Sequence, residues 1–93
     1  MTTLEKAIKT YGKDMQLNVA IEELSELIKE ICKNKRGSNN RENIIEEIAD
    51  CIIMIDQIAI IFGIKQSEII KIMDEKLLRL EKRLAERSEN GKS

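Results

Sequence analysis

The chain is expected to fold as an all-α bundle of one short and three long helices, and three features of its 93 residues lead there. It has no Pro and only four Gly, so little in it interrupts a helix. Apolar residues recur every three or four positions through the long segments, as one face of a helix requires. With one Phe, one Tyr and no Trp, the core must come from Ile, Leu, Met and Val, and Ile dominates from Ile44 to Ile72. Residues 1–93 are expected to form one domain whose small core volume favours self-association.

Thr2 followed three residues on by Glu5 has the form of a capping box, which opens a short first helix that Gly12 can end. Asp14 can cap a second helix reaching about Lys35, with Leu17, Ile21, Leu24, Ile28 and Ile31 on one apolar stripe. The polar segment from Lys33 to Asn40 holds Gly37 and Asn39 ahead of Glu42, a stop and a new start that join two antiparallel helices. The third helix, about Arg41 to Phe62, is apolar nearly all round after Cys51, as expected of a helix with neighbours on both sides. One of its seams carries Ile45, Ile48, Ile52, Ile55 and Ala59. The other carries Ala49, Ile53, Asp56 and Ile60, and Asp56 there is expected either to meet a cation of another subunit or to reach water. After Gly63 a fourth helix is expected from about Gln66 to Arg87, with Ile69, Ile72, Met73, Leu77, Leu80 and Leu84 recurring at three or four residues and 88–93 a frayed tail.

Charge balance removes several function classes. Sixteen basic and seventeen acidic residues leave a net charge of −1, which gives no field to hold nucleic acid or an anionic membrane. The longest apolar run, Cys51 to Phe62, is broken by Asp56 and Gln57 and falls short of the roughly 20 residues a bilayer needs. Met1 to Lys13 lacks an apolar core and a small-residue cleavage pattern, so a cytoplasmic protein is expected. Cys32 and Cys51 have no His or second Cys near them in sequence and read as ordinary reduced cysteines, partly buried.

The chemistry lies in two acidic clusters, Glu22-Glu23-x-x-Glu26 and Glu47-x-x-Asp50. Residues three apart on a helix point about 60° from one another, so Glu23 with Glu26, and Glu47 with Asp50, each aim one way. An antiparallel hairpin would bring the two sets together. Uncompensated carboxylates repel and lose hydration, an arrangement that makes sense when a hard cation sits among them. Without His or thiolate the set suits magnesium, with manganese as a substitute. Such an ion could hold a triphosphate and activate a water for attack on phosphorus, with Glu22 orienting or deprotonating that water. The cations expected for its phosphate oxygens are Lys76, Arg79, Lys82 and Arg83 on the fourth helix, Lys33, Lys35 and Arg36 in the link, or both groups. Gln16, two turns before Glu23 in the same direction, can reach a ligand at the margin of that helix's apolar face.

Glu22-Glu23-Leu-Ser-Glu26 followed by Glu47-Ile-Ala-Asp50 resembles the signature of the MazG-like, all-α nucleoside triphosphate pyrophosphohydrolases. Lys35-Arg36-Gly37, Asn43 to Asp50, and Lys76-Leu-Leu-Arg79 extend the resemblance over roughly Gln16 to Arg83. It implies hydrolysis of a nucleoside triphosphate, often a deoxy or damaged one, to monophosphate and pyrophosphate with magnesium, by a helical dimer or tetramer. Carried over by position, Glu23, Glu26, Glu47 and Asp50 would be the metal ligands, and Lys76 and Arg79 phosphate contacts. The base pocket departs from the family, because Tyr11 and Phe62 are the only aromatic residues and both read as packing residues.

The rival reading is a non-catalytic helical interaction module whose acids solvate an outer face and whose Ile-rich third helix is an assembly surface. It predicts indifference to magnesium. A ferritin-like di-metal bundle is disfavoured because it calls for Glu-x-x-His and the chain has no His. The basic link from Lys33 to Arg36 comes with no recognition helix or aromatic platform for nucleic acid.

Overall fold

The computed structural model describes residues 1–90, and these form four α-helices with no strand among them. They are α1 (Thr3–Tyr11), α2 (Lys13–Lys35), α3 (Arg41–Ile61) and α4 (Gln66–Asn90). One is short and three are long, as the apolar periodicity predicts. The chain divides at Gly63 into a three-helix unit and a second unit containing α4.

Each boundary has a local cause. At the start of α1 the Thr2 hydroxyl accepts the Glu5 N–H at 3.2 Å while the Glu5 carboxylate accepts the Thr2 N–H at 3.3 Å, so the capping box forms. A cap of this kind contributes about 1 kcal/mol. Gly12, at φ +91°, ends α1 by donating its N–H to the Ile8 carbonyl and starts α2 by accepting from Gln16. Asp14, expected as the cap of α2, lies within its first turn instead, because Gly12 already occupies the N-cap position.

The turn between α2 and α3 is closed from within. Arg36 and Ser38 return their N–H groups to the last carbonyls of α2, and Gly37 takes φ +102°. Asn40 stands at the N-cap of α3 without capping it. Its Nδ2 donates to the Glu30 carbonyl at 2.8 Å and to the Glu30 carboxylate at 3.4 Å, and its Oδ1 accepts from Asn34. Lys33 lies 3.7 Å from the same carboxylate, which lets Glu30 be buried as a charge-paired and hydrogen-bonded group. α3 stops at Ile61, ahead of Gly63 at φ +64°.

Within the three-helix unit α2 and α3 pack along a narrow seam. From α2 it takes Gln16, Ala20, Glu23, Leu27 and Glu30; from α3 it takes Ile44, Glu47, Cys51, Met54 and Gln57. The small side chains of Ala20 and Cys51 are buried in it, and α1 adds the buried Ile8. The expected α2 stripe is not the seam. Ile21, Leu24, Ile28 and Ile31 are exposed, as are Ile45, Ile48, Ile52 and Ile55 of α3, at 37–63%. At 100° per residue both stripes are offset from the seam in the same rotational sense, and on antiparallel helices that puts them on one side of the hairpin. The hairpin therefore carries a face of eight large apolar side chains open to solvent.

Tyr11 and Phe62, expected to pack, are also exposed. Each stands at the last or first residue past a helix end, beyond the reach of the seam. Of the cysteines, both free, Cys32 is exposed and Cys51 buried.

In the second unit Lys65 donates its N–H to the Glu68 carboxylate at 2.8 Å, satisfying a donor at the start of α4. The helix runs to Asn90, three residues past the expected Arg87, and the remainder of the expected tail, 91–93, lies outside the described residues. No helix among the described residues is long and apolar enough to cross a membrane.

Candidate metal centre

Glu23 on α2 and Glu47 and Asp50 on α3 each offer a carboxylate oxygen, and these oxygens lie within 4.8 Å of one another. The hairpin makes this meeting unavoidable. Glu23 is centred on the α2 seam between Ala20 and Leu27, and Glu47 is centred on the α3 seam one turn before Cys51. Asp50, three residues after Glu47, stands at the seam's exposed margin and turns back toward both.

The electrostatics of the group are unfavourable as they stand. Partial burial lifts the Glu23 carboxyl above its ordinary value, and the neighbouring Asp50 and Glu47 charges lift it further. Burial likewise pushes the Cys51 thiol up, helped by the charges of Glu47, Glu23 and Asp50. Cys51 is thus a packed thiol that donates to the Glu23 carbonyl at 3.4 Å. One oxygen of Glu47, Oε2, is buried with no hydrogen-bond partner. Among the described residues no Lys or Arg forms an ion pair with any of the three acids, since the pairs found join Lys29 to Glu26 and Lys33 to Glu30.

A divalent cation fits this donor set. Adjacent oxygens around magnesium at ~2.1 Å stand about 3 Å apart and opposite ones about 4 Å apart, so small side-chain rotations would let three oxygens share one ion. An ion there would give the Glu47 oxygen its missing partner and turn the mutual repulsion into coordination.

No known protein family, curated protein or solved structure matches this chain.

The remaining expected site residues fall at varying distances from the group. Glu26, expected as a fourth ligand, is outside it. It is about 60° round α2 from Glu23, on the side away from the seam, and is paired at 3.6 Å with Lys29, itself exposed. Glu22 is exposed one residue from Glu23. Lys35 and Arg36 are exposed at the hairpin turn, and Lys76 and Arg79 are exposed on α4 in the second unit. Asp56, on the opposite side of α3 from Glu47, is exposed as well.

Gln16 is the surprise. It is buried, and its Nε2 donates to Gln57 Oε1 at 2.6 Å across the seam. Gln57 was not foreseen as a site residue, because a Gln inside an apolar run reads as a mere interruption. One signal in the sequence could have found it. Facing residues of an antiparallel hairpin keep a constant sum of residue numbers, and 16 with 57 totals 73, as does 23 with 50. Gln57→Leu is expected to lower stability by about 1–3 kcal/mol, because it strands the Gln16 amide at the seam. Gln16→Leu with Gln57→Leu is expected to recover most of that loss. Urea denaturation of Gln57→Leu, Gln16→Leu and the double variant checks it, and a double loss equal to the sum of the two single losses would show that the pair is not coupled.

Proposed function

We propose that this chain is a magnesium-dependent nucleoside triphosphate pyrophosphohydrolase of the MazG-like kind, converting a nucleoside triphosphate and water to the monophosphate and pyrophosphate. The observation that carries the reading is the convergence of Glu23, Glu47 and Asp50 with a buried Glu47 oxygen that has no partner. The order of acids along the chain, Glu-Glu-x-x-Glu then Glu-x-x-Asp, supports the same reading. Glu23, Glu47 and Asp50 would hold magnesium, or manganese in its place. When bound, that ion would supply charge neutralisation for a triphosphate and acidify water for attack on phosphorus.

The chain's own residues have the complementary work. Glu22, exposed beside Glu23, accepts the proton of the attacking water. Lys35, at the end of α2, and Arg36 after it carry charge for phosphate oxygens. Gln16 lies seven residues from Glu23 along the seam, about 10 Å, so with Gln57 it offers amide groups at the nucleoside end of a ligand whose phosphates meet the acids. The open Ile face of the hairpin supports self-association, since a soluble chain rarely leaves so wide an apolar surface bare.

The test is pyrophosphate release from a panel of ordinary, deoxy and modified nucleoside triphosphates. At least one substrate is expected to give one pyrophosphate per monophosphate with magnesium, and none in chelator. Absence of pyrophosphate from every substrate with magnesium or manganese, or release of orthophosphate instead, overturns the reading.

A further inference from the structure

Along α4, Ile70, Met73, Leu77, Leu80 and Leu84 recur at alternating steps of three and four, and all are 45–58% exposed. This is the a and d spacing of a two-stranded coiled coil, in which each such residue fits between four side chains of a facing helix. α4 is the one helix of its unit.

We propose that α4 pairs with the α4 of a second copy of this chain as a parallel, in-register coiled coil. The charges flanking the seam select both the partner and the direction. Lys76 and Arg83 run along one edge, and Asp74 and Glu81 along the other. In a parallel pair each edge faces the opposite edge of the other helix five residues on, so Lys76 meets the partner's Glu81, twice by symmetry. From Ile70 to Leu84 no like charges oppose each other along that seam, and one like pair, Arg87 with the partner's Arg87, falls at its end.

An antiparallel pair that buries the same residues sets like edges together. Lys76 would then face the partner's Arg83, Asp74 would face the partner's Glu81, and Ile70 would lie against the partner's Arg87. Apolar burial is nearly equal in the two directions, so the charges decide for the parallel one. The helix supplies both halves of its own charge code, and that is why a second copy suits the seam. The pairing is independent of the metal and of hydrolysis, and it stands or falls separately from the Ile face of the hairpin.

Disulfide trapping of the full chain tests it. With Cys32→Ser removing the exposed native thiol, Leu84→Cys is expected to give a covalent dimer under a mild added oxidant. Glu75→Cys, on the outer face of the same helix, is the control and is expected to stay monomeric on a denaturing gel. Adding Lys76→Glu to Leu84→Cys is expected to slow linking roughly fivefold, and Lys76→Glu with Glu81→Lys to restore it to within about twofold. An antiparallel pair would place residue 84 against residue 73, so Leu84→Cys alone would not link and Lys76→Glu would relieve repulsion. Linking of Leu84→Cys no better than the control, or linking made faster by Lys76→Glu, overturns the proposal. A chain that hydrolyses nothing yet shows the expected linking pattern loses the reaction and keeps this pairing.

Discussion

Glu47→Gln is expected to move stability in opposite directions with and without magnesium, while lowering pyrophosphate release about 100-fold or more. Without the ion, the substitution removes one of three like charges and gives the buried Oε2 position an amide that can donate to Glu23 or Asp50. That should stabilise the chain by about 1 kcal/mol, or roughly 4–8 °C in melting temperature for a domain of this size. With millimolar magnesium the unsubstituted chain gains stability by mass action on its folded state, whereas the variant has lost a ligand and gains little. The order of the two melting temperatures therefore reverses between chelator and magnesium.

Glu23 adds a pH signature to the same experiment. Its folded carboxyl is raised above its unfolded value, so the folded chain binds that proton more tightly than the unfolded one. The stability this contributes is present below the ordinary glutamate value near 4.5 and is lost as pH rises through the raised folded value. In chelator the unsubstituted chain should thus melt lower at neutral pH than at pH about 5, and Glu47→Gln should flatten the slope by removing one of its causes. Melting curves across pH, with and without magnesium, check all of this. A solvated acidic face predicts no reversal, a flat response to magnesium and no effect of the substitution on the slope, and that outcome would remove the metal centre.

Much of this site was legible because helical arithmetic is local. The i, i+3 spacing aims Glu47 and Asp50 together, and Gly37 with its polar neighbours dictates a hairpin that returns α3 along α2. The helix limits were legible for the same reason, since Gly12, Gly37 and Gly63 each take a positive φ at a helix end.

The inner face of the hairpin was not legible. α2 carries two candidate stripes, and the more apolar one, with Ile21, Leu24, Ile28 and Ile31, lies outside. The chosen seam is held by Gln16 with Gln57, by Glu30 with Asn40, and by Cys51 with the Glu23 carbonyl. These are pairings between helices, invisible to a rule that scores one helix at a time. Glu26 and Asp50 stand equally far off their seams, but Glu26 is paired with the exposed Lys29 whereas Asp50 turns in to meet Glu23 and Glu47, a difference that helical spacing does not reveal.

Made in a chain whose α4 pairing is broken by Leu77→Glu with Leu84→Glu, Ile28→Glu and Ile52→Glu are each expected to split the remaining assembly into single chains. The eight-residue face they occupy is exposed and consists wholly of Ile and Leu, and an identical face on a second copy is the simplest surface able to cover it about a two-fold axis. Burying an Ile contributes about 2 kcal/mol, and a two-fold interface loses it twice, so each substitution should weaken association by about 4 kcal/mol, roughly a thousandfold in Kd. Replacing Ile by a charge at an exposed position of a helix costs the isolated hairpin little, so far-ultraviolet circular dichroism should stay helical while the mass falls. Sedimentation equilibrium reads the mass. Ser25→Glu on α2, off both the seam and the Ile face, should leave it unchanged. A single-chain mass for the parent with Leu77→Glu and Leu84→Glu alone at tens of micromolar, or a mass unmoved by both substitutions, would mean that no second copy covers this face. The same samples separate assembly from catalysis. If the split chains still release pyrophosphate at the full rate, the three acids of one hairpin suffice. A rate that falls with the mass means that the second copy helps to complete the pocket.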